Sequence, residues 1–143
     1  MRRWEDLRQE WPIFRGGEWS KMVLVDTSVW VDHFRAPNDK LRELLEIEQI
    51  AMHPFIVAEL ALGSLKHRAI QLGALDYLPA VQVARLDEVR WMIEAHSLYC
   101  RGIGLTDAHL IASCLIDPPT LLWTNDRQLS NVAESLGIAA DIS

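Results

Sequence analysis

Cysteine is scarce in this sequence, and Cys100 and Cys114 are too far apart to form a CxxC pair. Neither has a partner at metal-site spacing, so we interpret both as reduced thiols in a cytosolic protein. No apolar run reaches the ~20 residues that a membrane helix requires. The first 20 residues contain no apolar segment of signal-peptide length. These absences lead us to expect a cytoplasmic protein.

An excess of positive charge is also missing, because the formal net charge is −6. Nucleic-acid binding usually leaves a basic footprint, so the acidic total alone argues against it. Divalent cations bound to clustered acids would cancel part of that charge locally. Some basic groups are available to contact phosphates, although solvated helix faces explain them equally well: Arg35, Lys40, Arg42, Lys66 and Arg68.

The chain has 143 residues, half of them hydrophobic, which is typical of one globular domain with a sizeable core. No internal repeat or low-complexity tract is visible. Residues 1–21 are rich in tryptophan and charge, whereas Met22 opens the apolar segment MVLVD. We therefore predict an N-terminal extension of uncertain origin over 1–21 and the functional domain over 22–143.

Short apolar strands alternate with helical patterns after Met22. We predict strands at 23–25, 50–52 and 121–124, a further strand around Val81 and Val83, and an edge strand near 138–142. This alternation indicates an α/β fold with a mainly parallel sheet covered on both faces. Ligands of such sheets lie at the carboxyl ends of the strands. Asp26 ends the first strand, and Asp126 lies just past a later one.

Glu59 is the only charged residue in the apolar run 54–62. A helix that is apolar all round is usually buried, and an unpaired buried carboxylate costs several kcal/mol or becomes protonated. We therefore expect Glu59 to be buried beside a cation, which is either an arginine or a metal.

Three aspartates each have a structural and a functional interpretation. Asp26 is either a turn residue or a site residue, and Asp126 is either a helix cap or a site residue. Asp107 suits the first turn of a helix, where the dipole favours an acid. It also shares a face with apolar residues three, four and seven positions later, so we expect it to point along the buried side.

Four acids in one pocket would repel one another. Two carboxylates ~4 Å apart repel by roughly 4 kcal/mol at an effective dielectric constant of 20. Mg²⁺ or Mn²⁺ suits an all-carboxylate site, whereas zinc is disfavoured because no His/Cys cluster has zinc spacing. Two such ions would lower the pKa of a water and stabilise the leaving oxygen of a phosphodiester.

Four segments in this order resemble the four motifs of PIN-domain nucleases: VLVDTSVWVDHFR, HPFIVAELALG, GIGLTDAHLIAS and LLWTNDRQL. More narrowly, they resemble the VapC-type toxins of bacterial toxin–antitoxin pairs. The resemblance covers Met22 to Ser143 and leaves out residues 1–21. It implies a compact three-layer α/β/α domain with a central, mainly parallel sheet. It also implies a Mg²⁺- or Mn²⁺-dependent endoribonuclease that acts as the toxin of a type II toxin–antitoxin system.

Carried over motif by motif, the resemblance implies that four acids bind the metal and carry catalysis. Ser28 and Asn125 match polar positions beside those acids, where they would hold water or orient a carboxylate. The implied partners are an RNA substrate, a cognate VapB-type antitoxin and a second copy of the chain. The four acids are Asp26, Glu59, Asp107 and Asp126.

Two rival functions remain open from the residues. A phosphotransfer protein also places an aspartate after its first strand, but the phosphatase pattern needs a second acid where this chain has Ser28. A receiver domain needs a lysine near its last strand, and none follows Lys66. The other rival is a PIN-like binding module without activity, and the intact set of acids argues against it.

Overall fold

A computed structural model describes residues 14–15, 18–19, 21–117 and 119–142. The predicted extension over 1–21 therefore lies mostly outside the described residues. Its described part contains β1 (Phe14–Arg15) and β2 (Glu18–Trp19), which form an antiparallel pair. Among the described residues, no helix is long and apolar enough to span a membrane.

The central sheet consists of β3 (Met22–Val25), β4 (Ile50–Ala51) and β5 (Thr120–Trp123). Its order is β4-β3-β5, and both strand pairs are parallel. All four residues of β3 are buried, as expected for a parallel strand with both faces covered. The predicted α/β fold with a parallel sheet is confirmed.

Helices surround this sheet. Two connections carry these helices, one from β3 to β4 and one from β4 to β5, and the second passes the parallel bridge at Ala80 on the outer side of β4. Right-handed crossovers therefore place the helices before Ala80 on the same face as those of the first connection, and the later helices on the opposite face. The first connection contains α1 (Thr27–Arg35) and α2 (Asp39–Glu46). The second contains α3 (Pro54–Leu62), α4 (Arg68–Asp76), α5 (Leu86–Ala95) and α6 (Leu105–Ile116), and α7 (Arg127–Ser135) follows β5.

Two of the predicted strands are reduced to single bridges in the described residues. Near Val81 and Val83 the chain forms one parallel bridge, from Met52 to Ala80. The proline before Ala80 has no N–H to extend the ladder, which explains why pairing stops there. At the other edge, Leu122 pairs with Ala139 alone. The fully developed sheet is therefore narrow and centred on β3.

The strand ends define where the site forms. The backbone N–H of Asp26, directly after β3, donates to the Trp123 carbonyl of β5 at 2.9 Å. The segment Thr124–Asp126 then leaves β5 next to Asp26. Because β3 is the strand at which the chain order reverses, this edge is the topological switch point where α/β folds bind ligands.

Candidate active site

Asp26 is 93% buried, with 7% of its surface exposed, and its side chain is held by two hydroxyls. Ser28 Oγ donates to Asp26 Oδ2 at 3.0 Å, and Thr124 Oγ1 donates to the same oxygen at 2.8 Å. Asp26 is also the N-cap residue of α1, although its side chain makes no capping bond. Its carboxylate therefore points across the strand ends and not into its own helix.

Glu59 is exposed, so the expectation of a buried carboxylate was wrong. Only Ile56 and Leu60 of α3 are buried, which leaves the rest of this apolar helix partly or fully open. Glu59 Oε1 accepts a hydrogen bond from Thr27 Oγ1 at 2.7 Å. Within the described residues no arginine is paired with it, so the expected cation is absent from the nearby protein groups.

Asp107 is half-buried in the first turn of α6. Its Oδ2 accepts the backbone N–H of Gly104 at 3.1 Å, so the helix-capping interpretation holds. Burial raises the pKa of Asp107, and the negative charges of three other acids raise it further: Asp26, Asp126 and Glu59. These three acids therefore lie close enough for their charges to act on Asp107.

Asp126 caps α7, because its Oδ1 accepts the backbone N–H of Leu129 at 3.0 Å. Its own backbone N–H donates to Thr124 Oγ1 at 3.0 Å. Thr124 thus links Asp126 to Asp26, since the same hydroxyl donates to the Asp26 carboxylate. The cap interpretation of Asp126 is therefore confirmed, and Thr124 also places this residue beside Asp26.

The two supporting residues have different surroundings. Ser28 contacts Asp26, as above, and accepts the backbone N–H of Asn125 at 3.1 Å. The amide of Asn125 donates to Asp32 Oδ2 at 2.9 Å and contacts none of the four acids. Asn125 therefore orients a fifth, exposed acid, which lies one helical turn after Ser28 in α1.

Sequence reasoning named neither the two threonines nor Asp32 as candidate site residues. Thr27 and Thr124 each directly adjoin a motif acid or asparagine, a signal that was visible in DTS and TND. Asp32 lies four residues after Ser28, and that spacing on one helix face was its signal.

Each of the four acids uses one carboxylate oxygen in a bond to the protein and leaves the other without a donor among the described residues. The four remaining oxygens are hard donors of the kind that Mg²⁺ and Mn²⁺ prefer. In the described part of the chain, no three carboxylate, imidazole or thiol groups already surround one cation position. The donor chemistry therefore fits a divalent ion.

Comparison with known proteins identifies the family of this chain. A family model described as the PIN domain matches residues 23–135. The chain belongs to the PIN-domain family. The match spans all four acids of the candidate site and both strands that carry aspartates at their ends.

The PIN-domain assignment is narrowed by two relatives from two strains of Mycobacterium tuberculosis, each named Ribonuclease VapC32. Both are 40% identical over 118 residues, which are 82% of this chain and 95% of the relative. The resemblance to VapC-type toxins is thereby confirmed. The crystal structure of PAE2754 from Pyrobaculum aerophilum shares the PIN-like fold with a TM-score of 0.53 and 18% identity, covering 87% of this chain and 92% of that one.

Proposed function

We propose that this chain is a metal-dependent endoribonuclease that hydrolyses RNA phosphodiesters, and the toxin of a type II toxin–antitoxin system. The observation that carries this proposal is the placement of Asp26 and Asp126 at the ends of two paired parallel strands, where the Thr124 hydroxyl bonds to both. Acids that crowd together without a protein cation destabilise a fold, and such perturbed groups cluster at functional sites. The name of the two mycobacterial relatives supports the ribonuclease activity.

We propose that Asp26, Glu59, Asp107 and Asp126 hold Mg²⁺ or Mn²⁺ through the oxygens that their protein bonds leave free. When bound, the ion supplies a water of lowered pKa and offsets negative charge on the phosphodiester. Its positive charge would also counteract the neighbouring negative charges that help to raise the pKa of Asp107.

The chain's own contribution is orientation. Hydroxyls of Thr27, Ser28 and Thr124 hold the carboxylates that come from β3 and α3. Backbone N–H groups hold the two acids at the starts of α6 and α7. Each acid therefore has one fixed oxygen, and the direction of the other oxygen follows from it.

We further propose that residues 22–143 form the nuclease domain, that a VapB-type antitoxin covers the acids, and that the chain is a homodimer. The match of the PIN-domain model to residues 23–135 supports the domain limits. A positively charged antitoxin side chain is the natural inhibitor of a pocket with four acids and no paired cation among the described residues.

The test is RNA cleavage by purified, antitoxin-free protein with Mg²⁺ or Mn²⁺, with EDTA, and after Asp107→Asn. We expect cleavage that requires the metal and falls at least about 100-fold in the variant, since even outer partners of metal ligands cost 10–100-fold. Glu94→Gln is the matched control, because Glu94 is an exposed acid on α5 away from the motifs.

A folded wild type that cuts no transfer, ribosomal or messenger RNA would contradict the nuclease proposal and favour the binding-module alternative. Cleavage that persists in EDTA and in Asp107→Asn would contradict the assigned site. An equal loss in Glu94→Gln would show that general charge, and not these four acids, controls the rate.

A further inference from the structure

A groove of about 640 Å³ opens beside Glu59, between α1 and the α3–α4 segment. Its volume is within the range of ~300–1,000 Å³ that ligand sites occupy. Apolar side chains from both sides form part of its lining, including Phe34 of α1 and Leu60 of α3. Two cationic side chains also line it, Arg35 at the end of α1 and Lys66 in the turn after α3.

The five basic residues that the sequence offers as phosphate contacts fall into two groups in the structure, those engaged in other contacts and those that line the groove. Lys40 and Arg42 form ion pairs within α2, to Glu43 at 3.7 Å and to Asp39 at 3.8 Å. Arg68 is also engaged, as described below. Only Arg35 and Lys66 of the five line the groove, and neither is in an ion pair within the described residues.

Arg68 stabilises the turn that carries Lys66. Its Nη2 donates to the carbonyl of Ala61 at 2.5 Å, and its Nη1 donates to the carbonyl of Gly63 at 3.4 Å. These bonds satisfy carbonyl groups at the C-terminal end of α3, where the helix itself provides no partners. The turn is therefore held against α3, with Lys66 on the same groove as Glu59.

We propose that this groove binds the single-stranded RNA segment next to the phosphodiester that is cut, with phosphates at Arg35 and Lys66 and a base against Phe34. The inference rests on the proposed function and assigns its substrate-binding residues. Proteins bind unpaired nucleic acid with positively charged groups along its phosphate backbone and with apolar or aromatic side chains against its bases. The groove also gives an acidic chain a local positive surface for RNA.

Charge complementarity favours RNA as the occupant of the groove. Four acids repel a strand whose phosphate lies near them. Two cations that form no ion pair among the described residues line the adjoining groove, where they offset that repulsion at the neighbouring phosphates. Glu59 lines the groove itself, so the two surfaces are continuous. A protein segment in the groove is the competing occupant, and the experiment below distinguishes it.

The test compares the double variant Arg35→Gln/Lys66→Gln with the matched double variant Lys40→Gln/Arg42→Gln, which removes the same charge from α2. Single-stranded RNA binding is measured in the Asp107→Asn background in EDTA, over a series of salt concentrations. We expect roughly tenfold weaker binding in the groove variant. We also expect a decrease of about 1.4 in the slope of log K against log salt, or about 0.7 for each lost phosphate contact. The α2 variant should keep the wild-type slope.

Cleavage by the metal-loaded protein supplies the second readout. With Asp107 intact, the groove variant should lose kcat/KM on a long single strand but keep it on a dinucleotide that spans only the cut bond. Photoactivatable thiouridine placed beside the cut bond should crosslink to the tryptic peptide 22–35, which contains Phe34. An equal loss on both substrates would place the two cations at the reacting bond and overturn the groove assignment.

The experiments distinguish a failure of the groove assignment from a failure of the proposed nuclease function. If the wild type cuts RNA but the groove variant has unchanged binding, slope and kcat/KM, the groove serves another occupant, such as a protein segment, and this inference is overturned. If the wild type does not cut RNA, the proposed function fails, and the binding measurements alone then decide whether the groove holds RNA.

Discussion

Helices α3 and α6 look alike in sequence and differ in their surroundings. Both are mainly apolar, and each carries one acid of the site, Glu59 in α3 and Asp107 in α6. Residues 108–115 of α6 are all buried, whereas α3 buries only Ile56 and Leu60. The reason is position: α6 packs against β5 and α5, while α3 contacts α1 and α4. Apolar composition therefore indicates what a helix can bury, and the neighbours decide what it does bury.

The largest difference between the two helices should appear in the energetics of their apolar side chains. Ile111 in α6 is fully buried. Ile111→Ala should reduce the free energy of unfolding by about 2–5 kcal/mol, because it leaves a cavity in the core. Urea denaturation of the variant and the wild type measures this change. A loss below 1 kcal/mol would mean that α6 is less firmly packed than the structure indicates.

The contact between the two helices contains two imidazoles, and it should make stability depend on pH. His53 caps the start of α3 by accepting the Phe55 N–H at Nδ1, and its ring lies 6.3 Å from that of His109 in α6. Burial, and secondly the charge of His109, lower the pKa of His53 to about 4. The unfolded chain binds its proton near pH 6.5, so stability is present above that pH and is lost as the pH falls toward 4.

We expect His53 to make the protein roughly 2 kcal/mol less stable at pH 5 than at pH 8. His53→Asn keeps a side chain that can cap the helix and should flatten that pH dependence. His67→Asn is the control, because His67 is exposed and asparagine tolerates its left-handed backbone. Denaturation midpoints of the three proteins between pH 5 and 8 give the answer. An unchanged slope in His53→Asn would assign the dependence to other groups.

A smaller effect on stability is expected from Asp107, the acid carried by α6. The pKa of Asp107 is raised, first by burial and then by its acidic neighbours, so its charged form disfavours the fold. Its favourable contribution exists at low pH and is lost as the pH rises through the folded-state pKa. Asp107→Asn should therefore raise the thermal midpoint at pH 7, by less than the change at Ile111, while abolishing cleavage. A lowered midpoint in metal-free buffer would show that the carboxylate stabilises the protein.

The smallest effect is expected at the exposed end of α3. Leu62 is 89% exposed, so Leu62→Ser removes little buried area. The free energy of unfolding should change by no more than about 0.5 kcal/mol. Urea denaturation at low protein concentration tests this. A larger loss, increasing with protein concentration, would mean that another molecule covers Leu62.

The sequence was sufficient to predict which strand ends lie side by side. Asp26 and Asp126 follow parallel strands, and such strands end at one edge of the sheet, so their proximity followed from the pattern. The environment of Glu59 could not be predicted in the same way. Its apolar neighbours indicated burial, but the exposure of α3 depends on which elements pack against it, and a local pattern does not specify that.

The hydroxyl groups that bond to the acids could not be predicted from the sequence pattern either. Thr124 lies 98 residues from Asp26, and no periodicity relates two residues at that separation. The extent of pairing at the sheet edges, which is a single bridge at Ala80 and at Ala139, could not be predicted from the pattern either. A short apolar run indicates a strand, but its number of paired residues depends on how far the neighbouring strand extends.

The threonine bonds also determine when the site can exist during synthesis. Gly104 and Leu129 orient Asp107 and Asp126 across only three positions, so those two acids are arranged as soon as their helices form. The bond from Thr27 to Glu59 joins residues 32 apart, and the bond from Thr124 to Asp26 joins residues 98 apart. A nascent chain on the ribosome therefore lacks the complete set of acids until translation has passed Asp126 and the ends of β3 and β5 have met.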